Sequence, residues 1–160
     1  MVVSVGDAIP DVTLATMGDS GPEQVSTDDL FKDKKVVAFG LPGAFTPSCS
    51  AKHLPGFVVN ADTIKAKGVD SIICFSVNDV FVMDAWGKGQ NVEDKITMIA
   101  DGSGVLANAL GMELDLTERG LGIRSRRYSM IVDDGVISSL NLEDGGAFEV
   151  SSAARILEQL

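Results

Sequence analysis

Cysteine, histidine and aromatic residues are all scarce in this 160-residue chain. It has two cysteines, one histidine, one tryptophan and one tyrosine. Two cysteines 25 residues apart, Cys49 and Cys74, make neither a disulfide framework nor a zinc cluster. With His53 as the sole histidine, a protein metal site would need an unusual ligand set. There is no Cys-x-x-Cys, so no dithiol reductase module is expected. Cations are also few: 13 Lys and Arg against 23 Asp and Glu leave a net charge of −10. Such a balance speaks against nucleic-acid binding, which draws its affinity from cations on phosphates. No apolar run approaches the ~20 residues of a membrane span. The start, "MVVSVGDAIPDV", has neither a basic region nor a long apolar one, so no secretory signal is expected. The expected compartment is the cytoplasm, or an organelle if a transit peptide has been removed.

What is present is an ordinary globular composition, 45% hydrophobic and 22% charged, with enough length for one domain over residues 1–160. Residues 11–15 and 35–41 read as strands, the second, "KVVAFGL", continuous enough to be buried on both faces. Residues 47–67 read as a helix, with Thr46 at N-cap, Pro47 at its first position and Pro55 expected to bend or split it. A strand over 69–77, a helix over 80–89 that Asn78 or Asp79 can cap, a strand over 95–100 and a short helix over 103–112 follow. After a polar connection over 113–124 come two strands around Asp134-Gly135, a strong hairpin signal, and a serine-capped helix over 151–160. This order implies an α/β domain whose mixed central sheet has helices on both faces, and a thioredoxin-like fold fits it.

The chemistry concentrates in "PGAFTPSC", Pro42 to Cys49. Thr46 at N-cap puts Cys49 third in the helix, where free N–H groups and the positive dipole end favour thiolate over thiol. A free cysteine is often just a small buried apolar residue. A position after the carboxyl end of a buried strand, where α/β sheets build sites, favours the reactive reading. Thr46 can also turn its hydroxyl toward a substrate oxygen, and Pro42 and Pro47 shape the loop without competing N–H groups. His53, one turn beyond Cys49, is placed to tune the thiolate or simply to pack.

Pro42-x-x-x-Thr46-x-x-Cys49 resembles the active-site motif of peroxiredoxins, and "PGAFTPSCSAKHLPGF" resembles the type II, plant-like branch in particular. Similarity continues through "VGDAIPDV", "SVNDVFVMDAW", "ELDLTERGLGIRSRRYSMIVDDG" and "FEVSSAARIL". The resemblance implies a thiol-dependent peroxidase acting on hydrogen peroxide and small alkyl hydroperoxides. Cys49 would be the peroxidatic nucleophile, passing through a sulfenic acid. Thr46 would bind the peroxide, Pro42 would shield the sulfur, and Arg127, from "RSRRY", would stabilise both thiolate and leaving oxygen. Arg124 and Arg126 are left as outer candidates, and a solvated basic patch is the plainer reading of all three.

The spacing of Cys74 from Cys49 matches the plant-like pattern of a resolving cysteine, though Cys74 lies in "SIICFSV" and core packing is an equal reading. The C-terminal alternative is closed, because that region reads Phe148-Glu149-Val150-Ser151. A disulfide needs Cα atoms within roughly 7 Å, so Cys49–Cys74 bonding is expected to require unwinding of the first helical turn. Recycling by glutaredoxin with glutathione, or by thioredoxin, is implied without a choice between them. Homodimers are implied as well, with Phe45, Phe81 and Trp86 as contact candidates, or as core. A redox-sensing or chaperone-like binding protein using the same oxidisable cysteine is the competing function, separable by peroxide turnover.

Overall fold

The computed structural model describes residues 1–160. Its frame is a seven-stranded sheet with the order β2-β1-β5-β4-β3-β8-β9. Three strands are parallel at the centre: β3 (Lys35–Leu41), β4 (Ser71–Ser76) and β5 (Thr97–Ala100). Antiparallel neighbours flank them, β1 (Thr13–Gly18) with β2 (Gly21–Ser26) on one side, and β8 (Tyr128–Asp133) with β9 (Val136–Leu142) on the other.

Strand alternation sorts side chains into two apolar layers. Val37, Phe39 and Leu41 of β3, with Ile72 and Cys74 of β4, face the layer shared with α2 (Leu54–Ala66), α3 (Val80–Gly89) and α5 (Ala153–Gln159). Val36 and Ala38, with Ile73 and Phe75, face the other, under α1 (Thr27–Phe31) and α4 (Val105–Ala109). The mixed sheet with helices on both faces is the expected one. No helix is long and apolar enough to cross a membrane.

Some elements were not anticipated. β2 opens with Gly21-Pro22 and exposes its middle, so its residues carry no buried alternation. α1 is five residues long and depends on a capping box, in which Ser26 and Asp29 bond each other's backbone. The connection over 113–124 holds a small ribbon, β6 (Glu113–Leu116) with β7 (Gly122–Ser125). The hairpin at Asp134-Gly135 forms as expected, with both residues at positive φ, 47° and 77°.

Pro55 does not split its helix. Helical backbone runs from residue 47 to 66, with a π turn over Cys49–His53 just before the proline. There the Leu54 N–H reaches back five residues to the Cys49 carbonyl, and the wider turn accommodates a residue without an N–H. The Ser50 carbonyl instead accepts at 3.2 Å from Nε2 of Gln90, the residue that caps the C-terminus of α3.

Candidate active site

The end of β3 delivers Pro42, and the loop to Thr46 is held by side chains from elsewhere. Ala44 N–H donates to Asn78 Oδ1 at 2.9 Å, while Asp79 alone caps α3 through the Val82 N–H. Arg124 donates from Nη1 to the Pro42 carbonyl at 3.1 Å and from Nε to the Leu121 carbonyl at 2.9 Å. A Cβ at position 43 would meet that Arg124 Nη1 at 2.5 Å, so Gly43 is what lets the guanidinium come close. Phe45 stands at φ 65°, a left-handed conformation that a bulky residue keeps only when its surroundings impose it.

Thr46 starts the helix through its backbone, its carbonyl accepting from Ser50 N–H at 2.9 Å. Its hydroxyl does not cap: Oγ1 donates to the Gly43 carbonyl at 2.7 Å, which leaves the oxygen as an acceptor. The Cys49 N–H finds no backbone acceptor, the ordinary state of a donor in a first helical turn.

Cys49 is fully buried, and a cation is against its sulfur. Arg127 comes from the joint between β7 and β8, is 3% exposed, and donates from Nη2 to Cys49 Sγ at 3.3 Å. Its Nη1 lies 2.9 Å from His53 Nδ1, the Phe148 ring is 5.7 Å from its Cζ, and its Nε has no partner. No carboxylate pairs with it: the ion pairs of the chain are Lys88–Asp84 and Arg155–Glu158, both at the surface. A buried charge without an opposite charge is costly, and the group that Arg127 faces where a counterion would stand is the Cys49 sulfur. His53 supplies none, since burial first, and Arg127 second, hold its pKa down at about 3. Arg127 thus reaches the Cys49 sulfur, while Pro42 and Thr46 lie in the loop that leads into the helix carrying it.

Known proteins match along the whole length. The Redoxin family model covers residues 4–157. Peroxiredoxin-2B of Arabidopsis thaliana is 50% identical over 159 residues, spanning 99% of this chain and 98% of that protein. Peroxiredoxin-2C of rice (Oryza sativa subsp. japonica) is also 50% identical, with the same coverage. The chain belongs to the Redoxin family, as a type II peroxiredoxin. Such a peroxiredoxin is a thiol-dependent peroxidase. Among solved structures, reduced Prx3 from Vibrio vulnificus in complex with hydrogen peroxide superposes with a TM-score of 0.95 at 49% identity, covering 99% of both chains. Oxidised Prx3 from the same organism gives a TM-score of 0.92 at 50% identity, covering all of both chains. The thioredoxin-like fold expected from the element order is that of these peroxiredoxins.

The second cysteine of this peroxiredoxin has a different setting. Cys74 is central in β4, paired with Phe39 on one side and Met98 on the other, and fully buried. Burial, with the Cys49 charge adding to it, pushes its thiol well above the ordinary range. It shares the apolar layer of Cys49, and both are free thiols. Trp86, a sequence candidate for a subunit contact, is instead core: it is 1% exposed and its Nε1 donates to Ser50 Oγ at 3.0 Å.

Three residues were missed or undervalued. His53 carried a spacing signal, one turn from Cys49, but its bond to Arg127 required the fold. Glu143 and Ser151, which stand behind His53, carried none. Arg126, an outer candidate, donates from Nη2 to the Glu143 carbonyl at 2.8 Å and does not reach the sulfur.

Proposed function

We propose that Cys49 is the peroxidatic residue and that Arg127, Thr46 and Pro42 build its peroxide site. The observation carrying this is the buried Arg127 guanidinium, unpaired with any carboxylate and 3.3 Å from Cys49 Sγ. The thiolate attacks the terminal oxygen of the hydroperoxide. An S–O bond forms as the O–O bond breaks, two electrons pass from sulfur to the peroxide, and the departing oxygen takes a proton to leave as water or alcohol. Cys49 becomes a sulfenic acid. Arg127 offsets negative charge first on sulfur and then on the leaving oxygen, without having to move in from solvent. The Cys49 N–H is free to donate to the peroxide and Thr46 Oγ1 to accept from it. Pro42 closes the loop side with no N–H of its own. Hydrogen peroxide and small alkyl hydroperoxides suit so enclosed a sulfur.

Cys74 would act as the resolving thiol, attacking the Cys49 sulfenic acid with loss of water, once the turn over 49–53 has unwound. Glutaredoxin with glutathione, or thioredoxin, would then supply the two electrons that restore the thiols. Two free cysteines suit a reducing compartment such as the cytoplasm. The exposed rings of Phe45 and Phe81, 61% and 64% accessible, are the surface offered for a homodimer.

Trapping with a sulfenic-acid reagent after one equivalent of hydrogen peroxide tests the assignment. The adduct is expected on the peptide containing Cys49 and not on that containing Cys74. An adduct confined to Cys74, or peroxide consumed with neither a Cys49 adduct nor a Cys49–Cys74 disulfide, would sink it.

A further inference from the structure

The partners of His53 leave it one tautomer. Guanidinium groups have donors only, so Nδ1, 2.9 Å from Arg127 Nη1, must be bare. A carbonyl only accepts, so Nε2, 3.0 Å from the Ser151 oxygen, must carry the proton. The ring has little room to turn, with Phe39, Phe57 and Phe148 at centroid distances of 5.0, 5.6 and 5.1 Å.

Glu143 holds the Ser151 carbonyl in place. Its side chain belongs to a residue only 2% exposed, and one oxygen, Oε2, gathers four donors. These are the N–H groups of Glu149, Val150 and Ser151, each at 2.8 Å, and Ser151 Oγ at 2.6 Å. Burial pushes this carboxyl up, but the bonds from Ser151, Val150 and Glu149 outweigh it and hold the pKa below the ordinary value. Glu143 is itself tied beside the catalytic arginine, its N–H donating to the Arg127 carbonyl at 2.9 Å. None of these atoms touches the sulfur.

We propose that Glu143 is a positioning residue for peroxide reduction: it fixes the Ser151 carbonyl, which keeps His53 in the Nε2–H form, and the bare Nδ1 then orients Arg127 onto Cys49. The inference rests on the roles given above to Cys49 and Arg127. In the other tautomer two N–H donors would face each other at 2.9 Å, and a protonated ring would add like charge; either turns the guanidinium away from Sγ. The charged and titratable groups around this relay are Arg127 from the β7–β8 joint, Arg126 on the Glu143 carbonyl, Cys49 one turn before His53, Cys74 from β4, Glu143 behind Ser151, and Glu149, whose N–H Glu143 binds. The aromatic rings between them carry no charge.

The single histidine makes the test direct, because the imidazole ¹⁵N spectrum has one residue to report. In the native protein only the Nε2–H form is expected between about pH 5 and about pH 9. Glu143→Ala should mix tautomers or let the ring protonate near neutrality. It should also displace the acid limb of the pH profile of peroxide reduction upward by about one unit, which is ~10-fold in rate on that limb. Glu143→Gln, which can set an amide oxygen where Oε2 stands, should recover most of both. A native-like spectrum in folded Glu143→Ala, or mixed tautomers with an unmoved pH profile, overturns the proposal. If Glu143→Ala does not fold, Ser151→Ala, which removes the shortest of the four bonds to Oε2, is read the same way, and a spectrum and profile identical to native in it also overturn the proposal. Native protein without Cys49-dependent peroxide reduction would defeat the site assignment itself; the tautomer spectra, read independently of activity, tell that failure from this one.

Discussion

Arg127 is buried with no carboxylate beside it; one end of its guanidinium donates to Cys49 Sγ and the other meets Nδ1 of a buried, neutral His53. His53 has a measurable cost. Its pKa falls from 6.5 to about 3 on folding, so between these values the unfolded chain binds a proton that the native state refuses. Stability therefore rises with pH across that window and is lost on acidification, by ~1.4 kcal/mol per pH unit at most. Urea unfolding at pH 7 and pH 5 should differ by ~2 kcal/mol from this residue, and His53→Gln should remove that difference. Asp101, whose carboxyl burial pushes up, works in the opposite sense, and comparing the two proteins at each pH cancels it. An equal pH dependence in His53→Gln would mean that the native ring is charged. At this scale the candidate nucleophile was legible, because a cysteine behind Thr-Pro has a local physical meaning. The support of Arg127 was not, since His53, Ser151 and Glu143 meet only when β9 and the segment before α5 have folded back on the catalytic helix.

The helix over 47–66 carries Cys49 within a π turn. Pro55 is expected to bend or split the helix, but the outcome is a π turn and not a break. Sequence could not reveal this, because the compensating bonds come from α3. Trp86 Nε1 holds Ser50 Oγ and Gln90 Nε2 holds the Ser50 carbonyl, so α3 clasps the turn containing Cys49. Ser50→Ala should cost ~1 kcal/mol by stranding the indole N–H. It should also speed amide hydrogen exchange over residues 48–54 while the central strands stay protected. Unchanged exchange there would show that α3 does not control the turn. Elements whose signal is internal, such as the buried β3 or the Asp134-Gly135 hairpin, could be read directly. The edge strand β2, the one-turn helix α1 and the β6–β7 ribbon could not, because each is short, polar and stabilised by its neighbours.

For the molecule as a whole, the element order sufficed to imply the mixed sheet and its two helical layers, since each central strand alternates cleanly between them. Surface assignments fared unevenly. Of three aromatics considered for a subunit contact, Trp86 is core, while Phe45 and Phe81 remain in solvent. Their exposure supports self-association on that side, and sedimentation at micromolar concentration is expected to show a dimer that Phe45→Asp with Phe81→Asp converts to monomer. A native protein that sediments as monomer would contradict it. Everything proposed for the site depends on one buried thiolate beside Arg127 reducing the peroxide. The most direct test is peroxide consumption in a single turnover by native protein, Cys49→Ser and Cys74→Ser. Native and Cys74→Ser proteins should each reduce one equivalent at the same fast rate, and Cys49→Ser none. Fast reduction by Cys49→Ser, or a native rate no greater than that of a free thiol, would contradict the account.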